Sequence, residues 1–232
     1  MRRKIVIFDL DGTIIDNIEY VWKTLHEHFG VDEHPERVRT REDYFSRRIT
    51  YQEWADRDIE LLKKHGADRE TIFRALRDAR LMKGARETLM ELKKRGFKLA
   101  LMSGSLDVLL EKFIPDYEKI FDHVFINRII FGENGEIKDV EATPFDMAHK
   151  KKGLFKICEL EGIEPEECVF VGDHENDVEI AKAAGFSIAF NSKSEKLNEV
   201  SDVVIRKKDL REILKYLPAE EKSLNNPGHN NG

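Results

Sequence analysis

Glutamine occurs once in this 232-residue chain, at Gln52, and cysteine only twice, at Cys158 and Cys168. The cysteines lack CxxC spacing and have no histidine set beside them. They offer no metal site and are expected to be small core residues in a reducing compartment. No apolar run approaches the roughly 20 residues of a membrane helix, and the opening MRRKIVIF is too short for a signal peptide. A cytoplasmic chain that begins with its first strand is therefore expected. Neither sign of charge dominates: 39 Lys and Arg face 45 Asp and Glu, for a net charge of -6. Such interspersed charge argues against a nucleic-acid surface. Scarce glutamine beside 36% charged residues is the bias reported for heat-adapted proteins, so a thermophilic source is expected. Hydrophobic content of 41% suffices for a core of one large domain, or one domain and a smaller companion.

Short apolar runs recur at 5–8, 99–102, 124–126, 169–171, 187–190 and 203–205. Most connections between them read as helices, ending at Gly96, Gly162 and Gly185. Unbroken apolar strands alternating with helices predict an α/β fold, a Rossmann-like parallel sheet covered on both faces. Asn134-Gly135 between two apolar stretches predicts a small β-hairpin flap. Residues 17–80 break the rhythm. There Ile18, Val21, Trp22, Leu25 and Phe29 repeat at helical spacing, as do Tyr51, Trp54, Leu61 and Leu62, with Gly66 ending one helix and Asp68 capping the next. The expected organisation is a core of 1–15 and 81–217, a helical cap of 16–80, and a disordered tail of 218–232 in which His229 has no role. Hinges are expected near 14–16 and 82–84.

In doubly wound sheets ligands bind beyond the carboxyl ends of the strands. Asp9 and Asp11 follow the first strand, Ser103-Gly104-Ser105 follows the second, and Gly172-Asp173-His174-Glu175-Asn176-Asp177 follows a later one. Lys150-Lys151-Lys152-Gly153 lies before the helix leading into that later strand. Each piece alone has a plain structural use as a turn, a cap or a solvated charge. Four of them, each at a strand end, point to chemistry. Residues i and i+2 of an extended chain point the same way, so Asp9 and Asp11 can converge, with Asp173 arriving from a neighbouring strand. Carboxylates crowded into one cleft raise one another's pKa unless a cation intervenes. An all-oxygen site without His or Cys suits a hard ion, best Mg2+, and His174 is expected to face outward. Such an ion, one lysine and a serine followed by glycine form a trap for phosphate oxygens.

DLDGT (9–13), MSGS (102–105), KG (152–153) and GDHEND (172–177) together resemble the four motifs of the haloacid dehalogenase superfamily. The stretches NRII…NGEI, KKKGLFKICELEGIEPEECVFVGDHENDVEIAKAAGFSIAFN and DLREILKYL are similar to its phosphoserine phosphatase branch. The resemblance covers nearly the whole chain and includes a helical cap after the first motif. It implies that Asp9 is a nucleophile forming an aspartyl-phosphate, and that Asp11 is the acid and then the base. It further implies that Ser103, the Gly104 amide and Lys152 bind phosphate oxygens, with Lys151 as the alternative lysine. Mg2+ would be held by the Asp9 side chain, the Asp11 carbonyl and Asp173, with Asp177 orienting the lysine or a metal-bound water. The activity implied is hydrolysis of a small phosphomonoester, with transfer to an alcohol or a mutase reaction as the alternative, and a non-catalytic binding module as the remote one.

The cap departs from that branch. Where the branch carries a glutamate seven positions after the second aspartate, this chain has Ile18. Where it carries a cap arginine, this chain has Asp58, with Arg57 beside it and Tyr51 on the same helical stripe. Apolar Ile18 cannot pair with a substrate ammonium, and Asp58 would repel a carboxylate, so serine phosphate is not the expected substrate. Ile18, Tyr51, Arg57 and Asp58 are thus the candidate specificity positions.

Overall fold

The computed structural model describes residues 3–146 and 149–218. The expected tail, apart from Pro218, lies outside the described residues, as does His229. Strand β1 (Ile5–Phe8) is buried on both faces: Val6 and Phe8 enter one apolar cluster, Ile5 and Ile7 another. The side-chain period of two makes this possible, and two covered faces explain why no residue of the strand is polar. Two short strands, β2 (Ile15–Asp16) and β3 (Arg80–Leu81), form an antiparallel pair of their own. The remaining strands are β4 (Lys98–Leu106), β5 (His123–Phe131), β6 (Ile137–Glu141), β7 (Cys168–Gly172), β8 (Phe186–Phe190) and β9 (Val203–Ile205). With β1 they build a seven-stranded sheet in the order β6-β5-β4-β1-β7-β8-β9. Only the β5–β6 pair is antiparallel. The predicted hairpin at 134–135 joins these two strands, and β6 completes the edge of the main sheet.

Between β2 and β3 run α1 (Val21–His28), α2 (Pro35–Phe45), α3 (Tyr51–Lys64) and α4 (Arg69–Ala75). This is the helical cap inserted after the first strand. Thr50 and Glu53 close a capping box at the start of α3, and Asp68 caps α4 through the Thr71 amide, as its position predicts. Helix α2 escapes sequence reading because only Thr40 of its residues is buried, leaving no apolar stripe. The β2–β3 pair closes the base of the insertion, with the Met82 amide donating to the Ile14 carbonyl at 2.8 Å. Among the described residues six further α-helices, α5 (Ala85–Lys94), α6 (Val108–Phe113), α7 (Tyr117–Ile120), α8 (Lys150–Glu161), α9 (Val178–Ala183) and α10 (Glu195–Val200), accompany the sheet.

Strand β1 pairs in parallel with β4 and β7, and Phe8 lies opposite Leu101 on one side and Val171 on the other. The chain visits β4 and β5 on one flank of β1 before crossing to β7 on the other. That reversal opens a crevice at the carboxyl end of β1, where the residues after all three strands meet.

Candidate active site

Asp9 continues β1, its amide donating to the Val171 carbonyl at 2.9 Å. One Asp9 oxygen, Oδ1, accepts from Lys150 Nζ at 2.7 Å, and the same ammonium donates to Asp177 Oδ1 at 2.6 Å. All three side chains are buried. Burial alone would lower the lysine pKa, but Asp177 and Asp9 outweigh it and hold the ammonium charged. Asp177 Oδ2 accepts the Asp173 and His174 amides at 3.0 and 3.2 Å, which fixes the loop after β7. His174 itself is exposed, as expected.

Asp11 is held from two sides. Its Oδ1 accepts from Ser105 Oγ at 2.7 Å and its Oδ2 from the Val21 amide at 2.9 Å. Burial and the neighbouring Asp9 charge push its pKa up to about 7, against the pull of those two donors. A carboxyl with that value can give and take a proton near neutrality.

Asp173 comes close to the turn after β1. Its Oδ1 accepts from Thr13 Oγ1 at 3.3 Å, and its Oδ2 lies 2.2 Å from where a β-carbon on Gly12 would sit. Gly12 also has φ +73°, so both space and backbone require glycine there. Burial first, then Asp9 and Asp177, raise the Asp173 pKa well above the carboxylate range. One oxygen each of Asp9, Asp173 and Asp177 lie within 4.8 Å of one another. At that spacing, and an effective dielectric of about 20, each like-charged pair repels by about 3 kcal/mol. A single ammonium cannot neutralise three carboxylates. The donors are all oxygen, and they fit a hard divalent cation.

The lysine in this site is Lys150, and Lys152 is a correction: it is exposed, as is Lys151. The reason is helix phase. Helix α8 buries Lys150, Gly153, Leu154, Ile157 and Cys158 on one face, so position 152 faces solvent. Gly153 serves packing: a β-carbon there would come within 2.5 Å of the Met102 side chain on β4. The apolar spacing after the lysine run carried this signal in the sequence.

Ser103 and Gly104 lie at the end of β4 as predicted, Ser103 buried and its Oγ accepting from the Ser105 amide at 3.3 Å. The Gly104 carbonyl accepts from Trp22 Nε1 of α1 at 3.0 Å and from Asn127 Nδ2 of β5 at 2.7 Å. Asn127 also donates to the Tyr51 hydroxyl at 3.0 Å, and that hydroxyl donates to Asp146 Oδ2 at 2.7 Å. Tyr51 thus reaches the crevice from the cap. Asp58 is buried and pairs with His26 Nε2 at 3.3 Å. Ile18 is buried in the apolar core. Arg57 is not brought to the crevice: it is exposed and paired with Asp43 at 2.9 Å. Sequence reading missed Lys150, Asp146, Asn127, Trp22 and His26. The last four are single polar or aromatic residues with no motif around them.

An open doubly wound sheet with carboxylates from β1 and β7, a bridging lysine and a capping insertion defines a class of hydrolase. Residues 3–185 match the family model of haloacid dehalogenase-like hydrolases, and the chain belongs to that family. It is 34% identical over 217 residues to the phosphoserine phosphatase of Methanocaldococcus jannaschii, covering 93% of this chain and 98% of the relative. A phosphoglycolate phosphatase of Aquifex aeolicus is 28% identical, over 80% of this chain and 83% of the relative. Among solved structures, a phospho-aspartyl intermediate analogue of phosphoserine phosphatase superposes with a TM-score of 0.69 at 34% identity, covering 93% of this chain and 99% of that one. A substrate-bound phosphoserine phosphatase gives 0.68 at 32% identity over the same shares.

Proposed function

We infer that this protein is a Mg2+-dependent phosphatase that hydrolyses a small phosphomonoester through an aspartyl-phosphate on Asp9. The observation that carries the reading is the buried Lys150 ammonium shared between Asp9 and Asp177, beside an Asp11 whose pKa is about 7. Family membership and the phosphoserine and phosphoglycolate phosphatases among its relatives support it.

An Asp9 carboxylate oxygen attacks phosphorus, and the bond to the leaving alkoxide breaks as Asp11 gives that oxygen its proton. Water then attacks the phosphorus of the aspartyl-phosphate, Asp11 takes the water proton, and inorganic phosphate leaves with Asp9 restored. Ser103, the Gly104 amide and Lys150 hold the non-bridging oxygens, as phosphoryl transfer demands positioning and charge neutralisation above all. Mg2+ held by Asp9, Asp173 and the Asp11 carbonyl would supply the remaining positive charge against the phosphoryl oxygens. Asp177, with one oxygen on Lys150 and the other on two amides, braces both that ammonium and the 173–174 loop. Residues 16–80 act as a cap domain over the core of 1–15 and 81–217, moving about the β2–β3 pair to exclude water and admit substrate. No helix among the described residues is long and apolar enough to cross a membrane. Two free, buried cysteines fit a cytoplasmic setting.

Release of inorganic phosphate from p-nitrophenyl phosphate tests the reading. Release that needs Mg2+, stops with EDTA and returns on adding Mg2+ is expected. Transfer of the phosphoryl group to an added alcohol without free phosphate would contradict it.

A further inference from the structure

The cap meets the crevice on two levels. At the lower level, Trp22 of α1 bonds the Gly104 carbonyl, and Tyr51 of α3 bonds Asp146, whose carboxylate packs against Gly104 where a β-carbon would otherwise lie. His26 follows Trp22 by one helical turn, and Asp58 follows Tyr51 by about two, on the same face of its helix. The His26–Asp58 pair therefore lies about 6 Å along α1 from Trp22 and about 10 Å along α3 from Tyr51. Tyr20 ties the levels together. Burial and the carboxylates of Asp146, Asp58 and Asp11 all hold its phenol protonated.

Asp58 receives no hydrogen bond from its neighbour. Arg37 Nε donates to His26 Nδ1 at 2.9 Å, and His26 Nε2, 3.3 Å from Asp58 Oδ2, has no hydrogen-bond partner among the described residues. Arg37 itself is also paired with Asp32 at 3.3 Å. Asp58 Oδ1, buried, has no hydrogen-bond partner among the described residues. A buried carboxylate so placed is costly unless a donor arrives. Ile18, buried in the apolar core, offers no competing charge to an incoming ammonium.

Resting on the phosphatase reading above, we propose that Asp58 selects a phosphomonoester whose leaving alcohol carries an amine and no carboxylate, pairing with its ammonium. Asp146 and Asp58 both oppose a substrate carboxylate.

Three matched substrates test this with the Mg2+-loaded enzyme. Phosphoserine differs from phosphoethanolamine only by its carboxylate, and ethyl phosphate lacks the ammonium. The expected kcat/KM for phosphoethanolamine exceeds that of each of the other two by at least about tenfold. Asp58→Asn should bring the ratio of phosphoethanolamine to ethyl phosphate close to one, while Asp58→Glu keeps it well above one. A kcat/KM for phosphoserine equal to or above that for phosphoethanolamine overturns the proposal, as does a ratio unmoved in Asp58→Asn. Should Asp58→Asn fail to fold, the wild-type order of the three substrates decides alone. Hydrolysis of p-nitrophenyl phosphate in the same preparation keeps the two questions apart: aryl phosphate cleaved with phosphoserine preferred rejects the selectivity and leaves the phosphatase.

Discussion

On the sheet side of the crevice, Asp9, Asp177 and Lys150 are buried and pinned by one another, and Asp11 is fixed by Ser105 and an amide. On the outer face of the cap, Arg57–Asp43, Arg48–Asp43 and Lys64–Glu36 pairs stand largely in solvent. The two kinds of charge differ in what their loss costs. Exposed pairs are worth at most about 1 kcal/mol, whereas removing one member of a buried network costs about 3–5 kcal/mol. The core can hardly change without losing both fold and chemistry. Under the proposed role of Asp58, the cap exchanges a charge and redirects selectivity while the reaction stays the same.

The largest loss is expected at Asp9. Asp9→Asn should lower phosphate release by at least about a thousandfold, measured with p-nitrophenyl phosphate. Next comes the lysine run, where a buried and an exposed residue stand two positions apart. Lys150→Ala leaves two buried carboxylates without their cation and should cost about 3 kcal/mol in urea unfolding, with about a hundredfold loss of turnover. Lys152→Ala should stay within about 0.5 kcal/mol and within about twofold in rate. Equal effects from the two would contradict the placement of Lys150.

Asp11 gives a pH dependence with a definite sign. Protonation of the leaving alkoxide needs its acid form, present below about 7 and lost above it. For an alkyl phosphate, kcat/KM should therefore fall as pH rises through about 7, approaching about tenfold per unit. Asp11→Asn should abolish that limb along with most activity. The smallest effect sits where the cap touches the core. Trp22→Phe removes one of two donors to the Gly104 carbonyl, worth about 1 kcal/mol, and should raise KM about fivefold with kcat nearly unchanged.

Much of this is legible in the sequence. The unbroken apolar strands dictated a doubly covered sheet, and Asp9, Asp11, Ser103 and Asp173 were readable because each is placed locally, one to three residues beyond a strand or, for Ser103, near the carboxyl end of β4. Lys150 was harder. Three adjacent lysines differ only in helix phase, and the glycine beside Lys152 drew the assignment to the wrong one. Arg57 and Asp58 were likewise told apart only by which face of α3 each occupies. Asp146, Asn127, Trp22 and His26 left no local trace, because tertiary packing alone brings them to the crevice. Helix α2, almost entirely solvated, lacked the apolar period that would reveal it.

The chemistry claimed for the core is tested most directly by locating the phosphoryl group on the enzyme. The full chain, incubated with a phosphomonoester and Mg2+ and quenched in acid during turnover, is digested and mapped by mass spectrometry. The mass of one phosphoryl group on the peptide containing Asp9, labile in base and missing in Asp9→Asn, is the predicted result. A phosphoryl group on any other side chain, with turnover persisting in Asp9→Asn, would contradict it.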